Sequence, residues 1–453
     1  MKRYIIIGMA ALCSLSTTAQ PLPSHQGEGL GVGSVITLDQ CRQMALANNA
    51  KIKNAQIDIE SAEQQKKEAF TNYFPSVSAS GMGMNSNKGL MQMSMGPGMD
   101  VSMMKNGVMG MISATQPIFA GGQIVNGNRL AKVGLEASRL QLQTSENEVV
   151  LNAEQYYWNI VSLQANLQTI DAMQLMYTAL RDDVQNRVDA GMVNRNNLLQ
   201  VQIRLNENRS TRANLVNSLK LCKMVLAQYI GLPTDVDYEV AQPLPSLQGE
   251  GAGVGSVISL PSLPAPLSEL DKQSSLQSLP EYQLLQKNVE QSRLNHKLEV
   301  GKILPSVAVG AGYMYMNLMD KEQTNALVFA TVSVPISDWW GGSHAIKRKR
   351  LAVQTAENDL RDNAELLLIN MQSKWNDVEN AYEQLKIDRE TIDQSEENLR
   401  LQHDQYDAGQ STMSDLLTAA LSLQNAQSSY ISDYTDYQLK LLEYRQAIGQ
   451  TTK

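Results

Sequence analysis

Two stretches of the chain keep an apolar residue at every seventh position. From Gln123 to Ala190 there is no proline, and Leu135, Leu142, Val149, Tyr156, Leu163, Ile170, Tyr177 and Val184 recur at that spacing. Ala364, Met371, Val378, Leu385, Ile392, Leu399 and Tyr406 repeat the pattern later in the chain. A sustained heptad stripe predicts helices packed side by side along their length. After Gly409 a 3-4 pattern follows through Met413, Leu416, Ala420, Leu423, Gln427, Tyr430, Tyr434, Tyr437, Leu441, Tyr444 and Ile448, with Gln427 its polar exception. At ~1.5 Å per residue each heptad helix reaches about 100 Å, far taller than an ordinary domain.

A period of two marks the strands. Val307, Val309, Ala311, Tyr313 and Tyr315 alternate with Ser306, Ala308, Gly310 and Gly312, and the run from Leu327 to Ile336 is rich in β-branched residues. Earlier, Val77 and Ala79 alternate with Ser76, Ser78 and Ser80, and a Met/Gly-rich loop leads to Val108–Phe119. Alternation of this kind predicts strands with one apolar and one small or polar face.

These elements occur twice. FPSVSASG (Phe74–Gly81) answers LPSVAVGAG (Leu304–Gly312), TQPIFAGG answers VPISDWWGG, and the turn RVDAG ending at Gly191 answers QYDAG ending at Gly409. A literal repeat, QPLPSHQGEGLGVGSVITL against QPLPSLQGEGAGVGSVISL, precedes each half, and its Gly/Pro content reads as a spacer. The predicted organisation is a leader (1–19), a linker (20–36), a first repeat (37–241), a second linker (242–278) and a second repeat (279–453). The first repeat holds a helix, strands about 75–85 and 108–119, a long helix 123–190 and a helix 195–230. The second holds a helix, strands about 305–317 and 326–336, a long helix 343–408 and a helix 413–448.

The leader has Lys2 and Arg3 before an apolar run and ends in small residues at Ala19, the form of a secretory signal. A net charge of -8 gives no basic footprint for nucleic acid. The four histidines are scattered, no Ser/His/Asp, HExxH or CxxC arrangement appears, and the glycine runs lack the Lys-Ser/Thr of a phosphate loop. An enzyme is therefore not expected, and neither a cofactor nor a zinc site. No apolar run after the leader is long enough for a membrane helix. A membrane could be crossed only as a barrel, and four strands cannot close one alone. Three chains would supply twelve strands around a lumen.

The order, spacing and duplication of these motifs, from ITLDQCRQMALANNAKIKNAQ (Ile36–Gln56) through both strand ends, turns and helix ends, resemble the TolC-type outer membrane factors. The resemblance implies a mainly α fold with a membrane β-barrel portion. It implies a homotrimer seated in outer membrane lipid, with an α-helical barrel in the periplasm that docks a periplasmic adaptor and an inner membrane transporter. It also implies a conduit that catalyses nothing. The family's gate lies at the two helical tips. By that alignment Tyr406 takes the place of the gate tyrosine, Asn197 of its aspartate partner and Asp415 of a ring aspartate. Ser411 stands where the best-known member has an arginine, and Thr418 where it has a second ring aspartate. Gly191, Met192, Val193, Gly409 and Gln410 are the expected adaptor-docking tips.

Ten of the 22 methionines fall between Met82 and Met111. Thioethers are soft ligands, so Met91, Met93 and Met95 form an alternative metal site, weighed against flexible hydrophobes on a loop or lipid-facing surface. A drug or toxic-compound efflux duct is the leading expectation. A type I secretion duct and a copper or silver efflux duct are alternatives, and a structural coiled-coil envelope protein is the alternative of another class.

Overall fold

The computed structural model describes residues 35–87, 91–94, 100–103, 106–242, 260–317 and 322–450. The expected leader, the linker positions 20–34 and 243–259, and Met95 lie outside the described residues. In chain order the elements are β1 (Val35–Ile36), α1 (Leu38–Asn48), α2 (Ala50–Thr71), β2 (Ser76–Asn85), β3 (Met91–Ser94), β4 (Asp100–Met103), β5 (Asn106–Ala120), α3 (Gln123–Asp189), α4 (Arg195–Ile230), β6 (Glu239–Val240), α5 (Glu269–Ser278), α6 (Pro280–Lys302), β7 (Ser306–Asn317), β8 (Glu322–Ser333), α7 (Asp338–Asp407) and α8 (Met413–Ala447).

The heptad helices form as their pattern requires. Every position of both stripes is buried or half-buried, with Val149, Val184, Val378 and Leu385 fully enclosed. α3 pairs with α4, α7 with α8, and α3 also packs on α2, α6 and α8. The first helix of each half is split. Asn49 and Leu279 take extended ψ angles of 133° and 130°, and the following helices restart at an Asn cap and at Pro280. Proline at the first helical position loses no hydrogen bond, so the break is built into the sequence.

The strands form one antiparallel sheet, β2-β5-β7-β8, whose outer edges β2 and β8 have no partner among the described residues. β8 spans Glu322–Ser333 where the sequence predicts 326–336, because Pro335 has no N–H to continue the ladder. β3 and β4 add a small hairpin in the Met-rich loop. Pro117 is tolerated in the central strand β5 because pairing with β2 ends at Thr115 and the ladder to β7 is irregular between Pro117 and Phe119.

Register gives the sheet two unlike faces. Val77, Ile112, Val309, Tyr313 and Val328 lie on one face, all exposed. The other carries Ser76, Ser78, Ser80, Ser113, Thr115, Asn325 and Gln323, with the Ser78 and Ser113 hydroxyls 3.1 Å apart. Where β5 passes into α3 the backbone meets the end of α6 closely: a Cβ on Gly121 (φ +59°) would fall 2.1 Å from the Gly301 carbonyl oxygen. Only glycine fits that crossing, which fixes the sheet to the top of the helices.

Midway down the helices the chain builds a closed waist. The predicted linkers end in structure here: Val35–Ile36 pairs in parallel with Glu239–Val240, and α5 occupies the end of the second linker. Ile36, Tyr157, Tyr238 and Val240 are buried together. The Tyr157 hydroxyl donates to the Ala241 carbonyl at 2.7 Å and the Tyr238 hydroxyl to the Lys223 carbonyl at 2.6 Å. Arg42 Nε meets Glu154 Oε1 at 2.6 Å, and Glu154 is only 2% exposed. Burial raises the Glu154 pKa, and the hydrogen bond and charge of Arg42 oppose that rise. Asn48 and Asn49 donate to the Ile230 and Tyr229 carbonyls and so cap the end of α4.

Candidate functional site at the helical tips

Both hairpins reverse on a glycine. Gly191 has φ +71° and Gly409 φ +72°, and in each turn the next residue's N–H returns to the last helical turn: Met192 to Arg187 O, Gln410 to Gln405 O, both at 2.8 Å. This is the left-handed C-terminal stop that glycine adopts at least cost. Each return helix then starts on a capped residue. Asn194 accepts from the Asn196 N–H, and Thr412 forms a reciprocal capping box with Asp415.

Several expected gate residues are occupied locally. Asp415 accepts from the Thr412 hydroxyl at 2.6 Å and from the Thr412 N–H at 3.2 Å. These bonds lower its pKa, the side-chain bond most, and hold the carboxylate charged at the exposed tip. The Ser411 hydroxyl donates to Gln402 Oε1 at 2.6 Å, and the Thr418 hydroxyl to the Ser414 carbonyl one turn back. Met192 is 77% exposed, Gly191, Gly409 and Gln410 are exposed, and Val193 packs against the core.

Tyr406 and Asn197 are not joined. The Tyr406 side chain is buried and its hydroxyl has no hydrogen-bond partner. Asn197 is half-buried in the first turn of α4, with its N–H bonded to the Asn194 carbonyl. The ion-paired link between the two hairpins at the tips runs instead through Arg187 on α3. Its Nη2 donates to Asp407 Oδ1 on α7 at 2.8 Å, its Nε pairs with Asp183 at 2.8 Å, and its guanidinium lies 5.8 Å from the Tyr406 ring centroid. Sequence spacing gave no sign of this pair, whose members are 220 residues apart. Asp407 also lies 3.5 Å from His403 Nδ1, so one carboxylate serves two basic side chains.

Above this link the hairpins leave a cavity of about 610 Å³. Met176, Leu180, Leu399, Leu416 and Leu423 line it, and Tyr406 and Arg187 border it. An unsatisfied hydroxyl beside an apolar gap, bordered by a partly exposed ion pair, is loose packing for a helix–helix contact. No group of His, Cys, Asp or Glu among the described residues could hold a metal ion. No helix among them is long and apolar enough to cross a membrane.

Solved structures share this architecture. The outer membrane protein VceC from Vibrio cholerae is 14% identical with a TM-score of 0.74, covering 92% of this chain and 97% of its own. The Campylobacter jejuni CmeC outer membrane channel is 16% identical at 0.74, covering 92% and 87%. The open state of the Neisseria gonorrhoeae MtrE outer membrane channel is 16% identical at 0.70, covering 92% and 90%. At these identities the likeness is one of fold. Comparison with curated protein sequences found no match. A profile described as outer membrane efflux protein matches residues 41–232 and 273–450, which takes in both repeats. The chain belongs to the outer membrane efflux protein family, as a channel of the outer membrane.

Proposed function

We propose that the chain is the exit duct of a tripartite efflux pump, working as a homotrimer with a periplasmic adaptor and an inner membrane transporter. The observation that carries this reading is the sheet: four strands with two unpartnered edges and one exposed apolar face. Unpaired backbone groups are costly in hydrocarbon, so each edge needs a neighbouring chain. β8 of one chain pairs with β2 of the next, and three sheets close a twelve-stranded barrel with its apolar face to lipid and its hydroxyl face to the lumen.

The tips act as the entrance. Arg187–Asp407 ties α7 to α3 at the tip, a partly exposed ion pair of about 0–1 kcal/mol that opening must break. Such a weak link suits a gate that the adaptor must release. Gly191, Met192, Gly409 and Gln410 present the exposed turns to it. Trimer bands that collapse to monomer on heating, recovered from the outer-membrane fraction, are the expected result. A monomer in the soluble periplasm would contradict the reading.

A further inference from the structure

All six described methionines of the four-stranded sheet fall on one face. Register sets Met82 opposite Met109 and Met109 opposite Met316, and in the adjoining row Ser80 opposite Met111 and Met111 opposite Met314. Met84 lies two residues beyond Met82 on the same face. The apolar face, which runs through Val77, Ala79, Val108, Ile112, Val309, Tyr313 and Val328, holds none. If methionine served only as a flexible hydrophobe, it would lie toward lipid. Here it lies on the side that carries the hydroxyls, among Ser, Thr, Asn and Gln, with Leu327 and Phe329 the large apolar residues on β8 of that face.

Directly opposed side chains start with Cβ atoms ~4.5–5.5 Å apart, and methionine has three further rotatable bonds to bring sulfurs together. The Met111 side chain already reaches across to β7: its Cε lies 3.1 Å from where a Cβ on Gly312 would be. That glycine leaves room for the thioether. Met82, Met109 and Met316 can therefore offer sulfurs to one ion, and Met111 and Met314 to a second or to the same one.

We infer that this part of the polar face binds soft monovalent metal ions, Cu(I) or Ag(I), through the thioethers of Met82, Met109, Met111, Met314 and Met316. Thioethers are soft, neutral donors that select such ions over hard cations. Because they bring no charge to cancel that of the ion, they hold it loosely, which suits passage more than storage. Placing the site in the lumen rests on the duct reading, whereas binding itself does not.

The test is silver titration of the purified full chain in detergent and chloride-free buffer. It is done on a Cys222→Ser background, because Cys222 is a free, half-buried thiol that would compete. Calorimetry is expected to show Ag(I) binding, and X-ray absorption to show sulfur around the silver. Replacing Met109, Met111, Met314 and Met316 by Leu, which keeps their bulk, should weaken binding more than about tenfold. Met192→Leu at the tip should leave binding unchanged. If the fourfold variant does not assemble, the pairs Met109→Leu/Met316→Leu and Met111→Leu/Met314→Leu decide the matter by the same readout. Absent silver binding, or equal binding by the Leu variants, overturns the inference. A trimeric, conducting sample that binds no silver sinks this inference alone. A monomer that binds silver sinks the duct reading alone.

Discussion

The waist and the tips are built from the same long helices, yet they are packed to opposite ends. At the waist two tyrosine hydroxyls find carbonyls, two short strands pair, and the buried Glu154 has its own arginine. At the tips the Tyr406 hydroxyl has none, a cavity of about 610 Å³ remains, and the hairpins meet through a partly exposed ion pair. Polar groups are thus held more closely at the waist than at the tips. In the proposed duct that contrast suits opening at the tip with the wall intact, because local opening draws on the least stable part of a structure.

Substitutions can sharpen or break this contrast. The largest effect on stability is expected at the waist. Arg42→Ala leaves the enclosed Glu154 without its partner, which should cost about 3–5 kcal/mol and lower the temperature at which trimer bands dissociate. Next come the turns. Gly191→Val or Gly409→Val forces a β-branched residue to positive φ, at a cost of about 1–2 kcal/mol. A Cβ there meets no neighbour within 4 Å. Adaptor binding should suffer more than trimer formation, and pull-down with the adaptor beside the trimer assay would tell the two apart.

A smaller effect is expected from Asp433 on α8. Burial, and then the neighbouring Asp388 and Asp436, push its pKa up to about 7. A carboxyl whose pKa rises on folding stabilises the folded state fully below its unfolded value, near 4, and that contribution is lost as pH climbs through about 7. Asp433→Asn should therefore flatten the fall in thermal stability between pH 4 and 7 and leave the variant the more stable form at pH 8. Lys440, which lines the same recess, remains in both proteins. The smallest effect belongs to the second spacer. Deleting residues 243–255 should leave trimer formation and efflux nearly unchanged, and loss of membrane insertion would show that the segment is structural.

Much of this was legible from periodicity. The heptad stripes named buried or half-buried positions from Leu135 to Val184 and from Ala364 to Tyr406, because a long repeat leaves few alternatives. The four main strands followed from alternation, with ends displaced by a few residues where Pro335 or the Met-rich loop intervened. β1 and β6 are not legible, since two residues carry no period, and so structure reaches into both spacers, at Val35–Ile36 and at α5. At the tips the glycines announced their turns. Arg187 and Asp407 did not announce their pairing, because a contact between distant helices depends on how the hairpins lie against each other. The methionines were visible as a cluster, but their segregation to one face needed the cross-strand register.

The claim that the tips form the moving entrance of a duct with a fixed wall is tested most directly by single-channel conductance in planar bilayers. The trimer should insert as a discrete channel of low resting conductance, and Arg187→Ala should raise that conductance several-fold while the heat stability of the trimer stays near that of the parent. An Arg187→Ala channel with unchanged conductance, or a parent protein that forms no channel, would contradict the account.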